Sequence, residues 1–194
     1  MNEPSQSHIR NINRGHQYED EAITFFELTS KCKVQKCGFF HLPSDARYGS
    51  SPDALGPSGI LLEVKTRAEN SEGPLETIPP QYFTQCQLQM LCTNAEFCIL
   101  QSYHPETKTS KFFLIERNNV LMDIVIGVVN CIYNEEHLLD WVHEDVTELK
   151  NFSKACIGKI PNFDLLKGLR AYMKKCANVV PSIKFIDEVD FSII

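Results

Sequence analysis

The chain has 194 residues, 43% of them hydrophobic and 23% charged, which suits one globular domain and excludes a low-complexity or fibrous protein. Its net charge of −6 argues weakly against a non-specific nucleic-acid coat protein. No apolar run is long enough to span a bilayer, and the N-terminal stretch has no apolar signal core. We therefore expect an intracellular protein without a membrane partner.

Eight cysteines are spread along the chain without a C-x-x-C pair, the short spacing that zinc sites usually need. Several, such as Cys98 and Cys131, lie in apolar segments. We expect buried free thiols in a reducing compartment, the cytoplasm or nucleus of a host cell. The spacing does not support an iron–sulfur cluster, so none is expected.

The first predicted element is a helix that follows a disordered segment at residues 1–10. It should extend over about residues 12–30, because four apolar residues recur on one helix face: Tyr18, Ala22, Phe25 and Phe26. Three strands follow at 33–42, 46–55 and 60–66. The second and third are joined by the tight turn G-P-S-G, and we expect all three to form a meander.

The second half of the chain alternates helices with a hairpin. We predict a helix at 80–94, hairpin strands at 95–104 and 111–117, a long helix at 118–142, a last helix at 163–180 and a strand or loose end after 181. The resulting order, α-β-β-β-α-β-β-α-α, indicates helices flanking a mixed sheet, in the α/β or α+β class.

The third strand carries two charged residues on an apolar run. Alternation places Glu63 and Lys65 on the same face. If Asp53 converges on Glu63 from the preceding strand, the two carboxylates form a hard oxygen site suited to Mg²⁺ or Mn²⁺, which the carbonyl of Val64 is placed to complete. Lys65 then lies beside the metal-bound water, whose pKa the metal lowers. The alternative is a buried or edge salt bridge among Asp53, Glu63 and Lys65.

Two polar features lie on predicted helices. Gln85 and Gln89 share one helix face, and three glutamines in five residues are unusual for a core helix, with a solvated face as the alternative. Glu19 lies one turn before Ala22, beside the apolar stripe of the first helix. On its own, Glu19 is most typical of a surface carboxylate.

Together these motifs resemble the PD-(D/E)XK nucleases, in particular the branch of the lambda phage exonuclease and the YqaJ-type viral recombinases. S-P-D ends at Asp53, E-x-K begins ten residues later at Glu63, Y-x-x-Q-x-Q-x-x-M begins at Tyr82, and G-x-x-x-E-x-x-A begins at Gly15. The resemblance covers about residues 11–120. It implies a restriction-endonuclease-like core of order α-β-β-β-α-β with extra C-terminal helices.

The resemblance also implies the domain division and the metal site. Residues 11–194 would form a single nuclease domain, with the core at about 11–120 and a C-terminal helical part at about 118–180. One or two Mg²⁺ ions, with Mn²⁺ as a substitute, would be bound by Asp53, Glu63 and the Val64 carbonyl. Glu19 would hold a second metal or its waters.

The remaining site residues are carried over from the same motifs. Lys65 would orient and activate the attacking water, and Gln85 would hold Lys65 or the substrate. Four further residues are assigned to DNA binding: Arg67, Arg14, Gln87 and Ser51. The chain departs from the family pattern at Ala54, where a glycine is usual, and at Thr66–Arg67, where Cys-Pro is usual.

The implied activity is that of a metal-dependent deoxyribonuclease. It would act as a 5′-to-3′ exonuclease on linear duplex DNA, in recombination or replication of a virus or mobile element. A homo-oligomer and a single-strand annealing protein are candidate partners. Two alternatives remain, a non-catalytic DNA- or protein-binding module on the same fold and a structure-specific endonuclease.

Overall fold

The computed structural model describes residues 6–134 and 182–183. Within these residues the chain forms three helices and eight strands, with a 3₁₀ turn at Pro57–Gly59. In chain order the elements are α1 (Gln6–Ser30), β1 (Gln35–Lys36), β2 (Phe40–Leu42), β3 (Asp45–Ser50), β4 (Ala54–Leu55), β5 (Leu61–Thr66), α2 (Pro80–Thr93), β6 (Phe97–His104), β7 (Thr109–Glu116), α3 (Asn119–Asn134) and β8 (Ser182–Ile183).

Six of the strands form one mixed sheet in the order β1-β4-β5-β6-β7-β8. Only β5 and β6 are parallel among these neighbours, with Glu63 opposite Leu100, and α2 provides the crossover between them. The other neighbours are antiparallel. This arrangement confirms the predicted mixed sheet flanked by helices.

Two predicted strands are each split into two. The segments 33–42 and 46–55 contribute β1 and β4 to the main sheet, whereas β2 and β3 pair only with each other. The chain leaves the sheet at Cys37–Gly38 and returns at Ser51–Pro52, where proline has no N–H to donate. The predicted meander survives as β1, β4 and β5, which are consecutive antiparallel neighbours.

The start of α1 differs from the predicted start, whereas the start of α3 agrees with it. Helix α1 begins at Gln6 instead of near residue 12, so residues 6–10, predicted to be disordered, are helical. No glycine or proline interrupts the chain between Gln6 and Arg14. Helix α3 begins as predicted, because the Asn118 side-chain oxygen caps it by accepting the Leu121 N–H at 2.9 Å.

Only a small part of the structure predicted for the C-terminal region lies within the described residues. The predicted extension of the long helix to residue 142 and the last helix at 163–180 lie outside the described residues. The predicted tail strand is observed only as β8, which pairs with β7. Across the part of the chain that is described, no helix combines the length and apolar character needed to cross a bilayer.

The core has two parts, one on each face of the sheet. Alternation along β5 sends Leu61 toward α2 and Leu62 toward α1. The first cluster contains Phe83 and Met90 of α2, and the second contains Phe26 of α1. The five cysteines whose side chains are described are free thiols, and three of them are buried as predicted, whereas Cys32 and Cys37 are only half-buried.

Candidate active site

Asp53 lies in the S-P-D turn that leads from β3 into β4. Its Oδ2 accepts the backbone N–H of Val64 at 2.6 Å. This hydrogen bond ties the turn to the middle of β5 and holds the carboxylate beside the strand that carries Glu63. The two acidic residues of the predicted site therefore converge as the motif spacing indicated.

Glu63 is a buried carboxylate, only 2% exposed, on the β5 face that meets α2. Its Oε1 accepts hydrogen bonds from Lys65 Nζ at 2.5 Å and Gln85 Nε2 at 2.7 Å. Its Oε2 accepts one from Gln89 Nε2 at 2.6 Å. A buried charge is tolerated only when it is paired and hydrogen-bonded, and these three donors meet that requirement.

Lys65 lies on the same face as Glu63, one strand repeat further along. Its ammonium is 5.0 Å from the centroid of the Tyr82 ring, at the start of α2. Burial lowers the pKa of Lys65, but the charge and hydrogen bond of Glu63 outweigh burial and leave the pKa above its ordinary value. Lys65 is therefore a cation at neutral pH.

The electrostatics around Asp53 show an excess of negative charge. Burial raises the pKa of Asp53 to about 7, and the charge of Glu63 acts in the same direction, against the hydrogen bond from Val64. The cationic Lys65 does not cancel this excess. A divalent cation between the two carboxylates would relieve it, so the donor set fits a hard metal ion.

Glu19 approaches the site from α1. Its Oε1 is 3.0 Å from Lys36 Nζ, and Lys36 also pairs with Asp20 one residue further along the helix. The charge of Glu19 contributes to the raised pKa of Asp53. The structure thus brings Glu19 toward the site, but with its carboxylate paired to Lys36.

A cluster of three or more His, Cys, Asp or Glu side chains in a metal-binding arrangement is absent from the described residues. Magnesium sites commonly use only one or two carboxylates, with water and substrate phosphate completing the shell. Asp53 and Glu63 match that pattern. A role for Glu19 or for the Val64 carbonyl in metal binding stays a prediction.

Gln87 does not have the predicted position for a DNA contact. It is fully buried, and its Nε2 donates to the Glu116 carbonyl at 2.8 Å. Its Oε1 accepts the Asn118 N–H at 2.6 Å. The side chain therefore joins α2 to the junction between β7 and α3, because position 87 lies on the helix face opposite Gln85 and Gln89.

The two predicted DNA-binding arginines are also engaged inside the protein. Arg14 donates from Nε to the Arg67 carbonyl at 2.8 Å, pairs with Glu106, and lies over the Tyr18 ring at 4.9 Å. Arg67 donates from Nε to the Gly73 carbonyl at 2.9 Å. Each would have to give up protein contacts in order to bind a phosphate.

Ser51 is exposed immediately before Pro52 and Asp53, and its Oγ donates to the Gly38 carbonyl at 3.4 Å. A DNA contact by Ser51 stays a prediction. Two residues join the site that the motifs did not assign to it, Gln89 and Lys36. The i, i+4 spacing of Gln85 and Gln89 was a sequence signal that could have identified Gln89. Lys36 lies at the end of β1, where the predicted strand 33–42 is broken, and no sequence pattern indicated that break or the contact with Glu19.

One family model matches the N-terminal part of the chain. Residues 1–96 match the family model of the YqaJ-like viral recombinase domain, which confirms the resemblance drawn from the motifs. No curated protein matches the chain.

Solved structures are similar over most of the length. An alkaline exonuclease, LHK-Exo from Laribacter hongkongensis, is 20% identical at a TM-score of 0.50, covering 92% of this chain and 76% of that one. Its complex with dAMP gives a TM-score of 0.49 at the same identity and coverage. A phage-related exonuclease from Haemophilus somnus 129PT is 11% identical at a TM-score of 0.46, covering 87% and 73%. The first of these similarities confirms the predicted fold, a restriction-endonuclease-like core.

Proposed function

We propose that the chain is a metal-dependent nuclease that hydrolyses DNA phosphodiester bonds, as the match of residues 1–96 to the YqaJ-like viral recombinase domain supports. The observation that carries this proposal is the buried Glu63 carboxylate, anchored by Lys65, Gln85 and Gln89 beside Asp53. Carboxylates with a pKa raised by burial and by a second carboxylate cluster at functional sites, and Asp53 beside Glu63 is such a case.

Asp53 and Glu63 would hold Mg²⁺, with Mn²⁺ as a substitute. Support comes from the pKa of Asp53, which burial and the charge of Glu63 raise to about 7. When bound, a divalent cation supplies positive charge that polarises the scissile phosphate and lowers the pKa of a water. We propose the Val64 carbonyl as a further ligand and Glu19 as the residue that serves a second ion.

Lys65 would orient the attacking water and stabilise the negative charge that develops on the phosphate. Its ammonium is fixed between Glu63 and the Tyr82 ring, so little reorganisation is needed when the substrate binds. Gln85 and Gln89 keep both oxygens of Glu63 in place. These donors give the site a fixed geometry before any substrate arrives.

The proposed mode is 5′-to-3′ exonucleolytic digestion of linear duplex DNA. The proposed setting is recombination or replication of a virus or mobile element, inside a reducing compartment. The family description supports this setting. A homo-oligomer and a single-strand annealing protein are the proposed partners.

The test is a nuclease assay on three DNA substrates, a 5′-labelled linear duplex, a 3′-labelled linear duplex and a covalently closed circle. With Mg²⁺ or Mn²⁺ we expect loss of the linear substrates from the 5′ end and an intact circle, and no cleavage in EDTA. The variant Asp53→Asn should be inactive. Its matched control is Asp123→Asn, at an exposed position on α3, which should cleave like the wild type.

Other outcomes have defined meanings. Cutting of the circle that depends on Asp53 would identify a structure-specific or other endonuclease. DNA binding without cleavage under any metal condition would contradict the proposal and favour a non-catalytic binding module.

A further inference from the structure

Strand β5 keeps its pairing with β6 for one residue beyond its end. The Arg67 N–H donates to the Tyr103 carbonyl at 2.8 Å, which prolongs the parallel ladder between the two strands. Alternation then places Arg67 on the face of β5 that carries Glu63 and Lys65. The Arg67 side chain contacts Gly73, in the segment that leads into α2, and this agrees with the placement because Lys65 faces α2 as well.

The Arg67 guanidinium is the least engaged cation near the candidate active site. Its Nε donates to the Gly73 carbonyl at 2.9 Å, and no other hydrogen bond or ion pair joins its side chain to a described residue. By contrast, Lys65 is paired with Glu63, and Arg14 both pairs with a carboxylate and donates to a backbone carbonyl. Residue 67 is also partly exposed. Arg67 can therefore bind an anion by giving up one hydrogen bond to a neutral group.

The segment that carries Gly73 has anchors of its own. The Leu75 N–H donates to Ser102 Oγ at 2.9 Å. His104 Nε2 donates to the backbone carbonyl two residues before Gly73, also at 2.9 Å. Because Ser102 and His104 belong to β6, they keep the segment on the sheet when Arg67 leaves the Gly73 carbonyl. Gly73 is partly exposed, so water can then satisfy that carbonyl.

The spacing of cations along β5 fits two successive phosphates. Lys65 and Arg67 are one strand repeat apart, about 6.6 Å, which is close to the spacing of successive phosphates along one DNA strand. The carboxylates of Asp53 and Glu63 leave an excess of negative charge on this face, and Lys65 does not cancel it. A DNA strand that passes the site therefore needs a further cation, and Arg67 is placed to supply it beside the phosphate at Lys65.

We propose that Arg67 binds the phosphate next to the scissile phosphate on the same DNA strand, through Nε and one terminal nitrogen, in exchange for the Gly73 carbonyl. The guanidinium fork matches a phosphate in this bidentate manner, and the two charge-assisted bonds are stronger than the single bond that they replace. This inference rests on the proposed nuclease function and adds to it a residue that sets the register of the substrate strand. Arg67 stands where the family pattern usually has proline, so the contact is a feature of this chain and not of the motif.

The test measures DNA affinity over a series of salt concentrations and does not require cleavage. Binding of a fluorescent linear duplex is followed by anisotropy, with Ca²⁺ in place of Mg²⁺. We expect Arg67→Gln to weaken binding by about tenfold and to reduce the slope of log Kd against log salt by about 0.9, because one phosphate contact is lost. Arg67→Lys keeps the charge and should keep the slope, but it should bind about threefold more weakly because the fork is lost.

The matched control is Arg117→Gln. Arg117 also donates to a backbone carbonyl, that of Ala95 at 3.2 Å, but it follows β7 at the opposite end of the sheet, where Glu116 pairs with Phe97 at the start of β6. Its affinity and salt slope should be those of the wild type. An equal loss in Arg117→Gln and Arg67→Gln would indicate a general effect of net charge and would overturn the inference.

Uncharged methylphosphonates locate the contact on the DNA. Each phosphate near the end of the duplex is replaced in turn, and binding to the wild type and to Arg67→Gln is compared. One position should weaken wild-type binding by about tenfold and leave the affinity of Arg67→Gln unchanged, since the variant makes no contact there. A wild type that is insensitive at every position, or that binds no DNA, would overturn the inference without reference to any variant.

The same measurements keep this inference separate from the nuclease proposal. A wild type that binds DNA with the Arg67-dependent salt slope but never cleaves it would contradict the nuclease and leave the phosphate contact standing. Cleavage that depends on Asp53, with the affinity and salt slope of Arg67→Gln equal to those of the wild type, would do the reverse. Weaker binding with an unchanged slope in Arg67→Gln would assign Arg67 to anchoring Gly73 alone and also overturn the inference.

Discussion

Glu63 shows how a single buried charge organises the site. The Glu63 side chain is almost completely removed from water. The favourable hydration free energy that the carboxylate loses is offset only by strong hydrogen bonds from neighbouring residues. One of these, Lys65, is two residues away on the same strand, and the other two, Gln85 and Gln89, come from α2. The position of α2 relative to β5 therefore determines the geometry of the carboxylate.

Gln89 should act as a positioning residue for Glu63. We expect Gln89→Met to weaken Mg²⁺ binding by about tenfold, because the variant keeps the size of the side chain but leaves Glu63 Oε2 without its donor. Raising the Mg²⁺ concentration should restore most of the cleavage rate. The measurement is the Mg²⁺ dependence of cleavage, together with Mg²⁺ binding followed by calorimetry.

The matched control for this prediction is Gln81→Met, at an exposed position near the start of α2. It should leave the Mg²⁺ dependence unchanged. If Gln89→Met had the Mg²⁺ dependence of the wild type, the hydrogen bond to Glu63 would have no functional role.

The raised pKa of Asp53 predicts how stability depends on pH without metal. Burial, followed by the charge of Glu63, raises this pKa to about 7 from the ordinary value of 3.8. Between these values the folded protein keeps a proton that the unfolded chain has released, so the free energy of unfolding falls as pH rises, and it levels off above about pH 7. Asp53→Asn removes this contribution and keeps an oxygen that can accept the Val64 N–H.

The check is a series of melting temperatures in EDTA from pH 4 to pH 8. We expect Asp53→Asn to match the wild type near pH 4 and to melt about 5 °C or more above it at pH 8. Mg²⁺ should stabilise the wild type at pH 8 and have little effect on the variant. A difference between the two proteins that does not change with pH would contradict the raised pKa.

At the scale of single elements, the splitting of two predicted strands has a physical cause. Alternation and β-propensity describe how each residue fits a pleated sheet, and the segments 33–42 and 46–55 satisfy both. What the pattern cannot convey is which sheet the residues join. The contacts of Cys37 with Pro52 and of Ser51 with Gly38 close the base of the hairpin, and both contacts form only after the fold has brought these bends together.

Helix α2 carries glutamines on two opposite faces, and here too the sequence pattern does not show what each face contacts. The sequence places Gln85, Gln87 and Gln89 within one helix and puts Gln85 and Gln89 on one face, but it does not show which face supports the site and which supports the fold. Tertiary contacts decide this: Gln85 and Gln89 face β5, whereas Gln87 faces the backbone of Glu116 and Asn118. The family motif did not separate these roles, so the predicted DNA contact of Gln87 was wrong.

Replacing Gln87 should therefore affect stability and not catalysis. We expect Gln87→Leu to lower the free energy of unfolding by about 1–2 kcal/mol, because it removes the side-chain partner of the Glu116 carbonyl and of the Asn118 N–H, two partly buried hydrogen bonds. Denaturation in urea measures the loss. The Mg²⁺ dependence and DNA affinity of the folded variant should equal those of the wild type, and a selective loss of DNA affinity would restore the predicted DNA contact.

At the scale of the whole molecule, the sequence predicts the class and order of elements well. The mixed sheet, the crossover helix between β5 and β6, and the β6–β7 hairpin follow from periodicity and turn residues, which are local signals. The convergence of Asp53 and Glu63 follows from motif spacing on adjacent strands. Contacts such as those of Arg14 with Arg67 and Glu106 could not be predicted, since they join residues far apart in the chain.

Cleavage of a linear duplex in Mg²⁺ by two lysine variants tests most directly whether the charged residues of β5 support phosphodiester hydrolysis. Lys65→Ala should lose at least about a hundredfold in rate, because it removes the cation that orients water at the site. Lys108→Ala should retain the wild-type rate, since Lys108 is an exposed lysine that forms only a loose 4.0 Å pair with Glu21. Equal rates in the two variants, with both proteins folded, would contradict a catalytic role of Lys65.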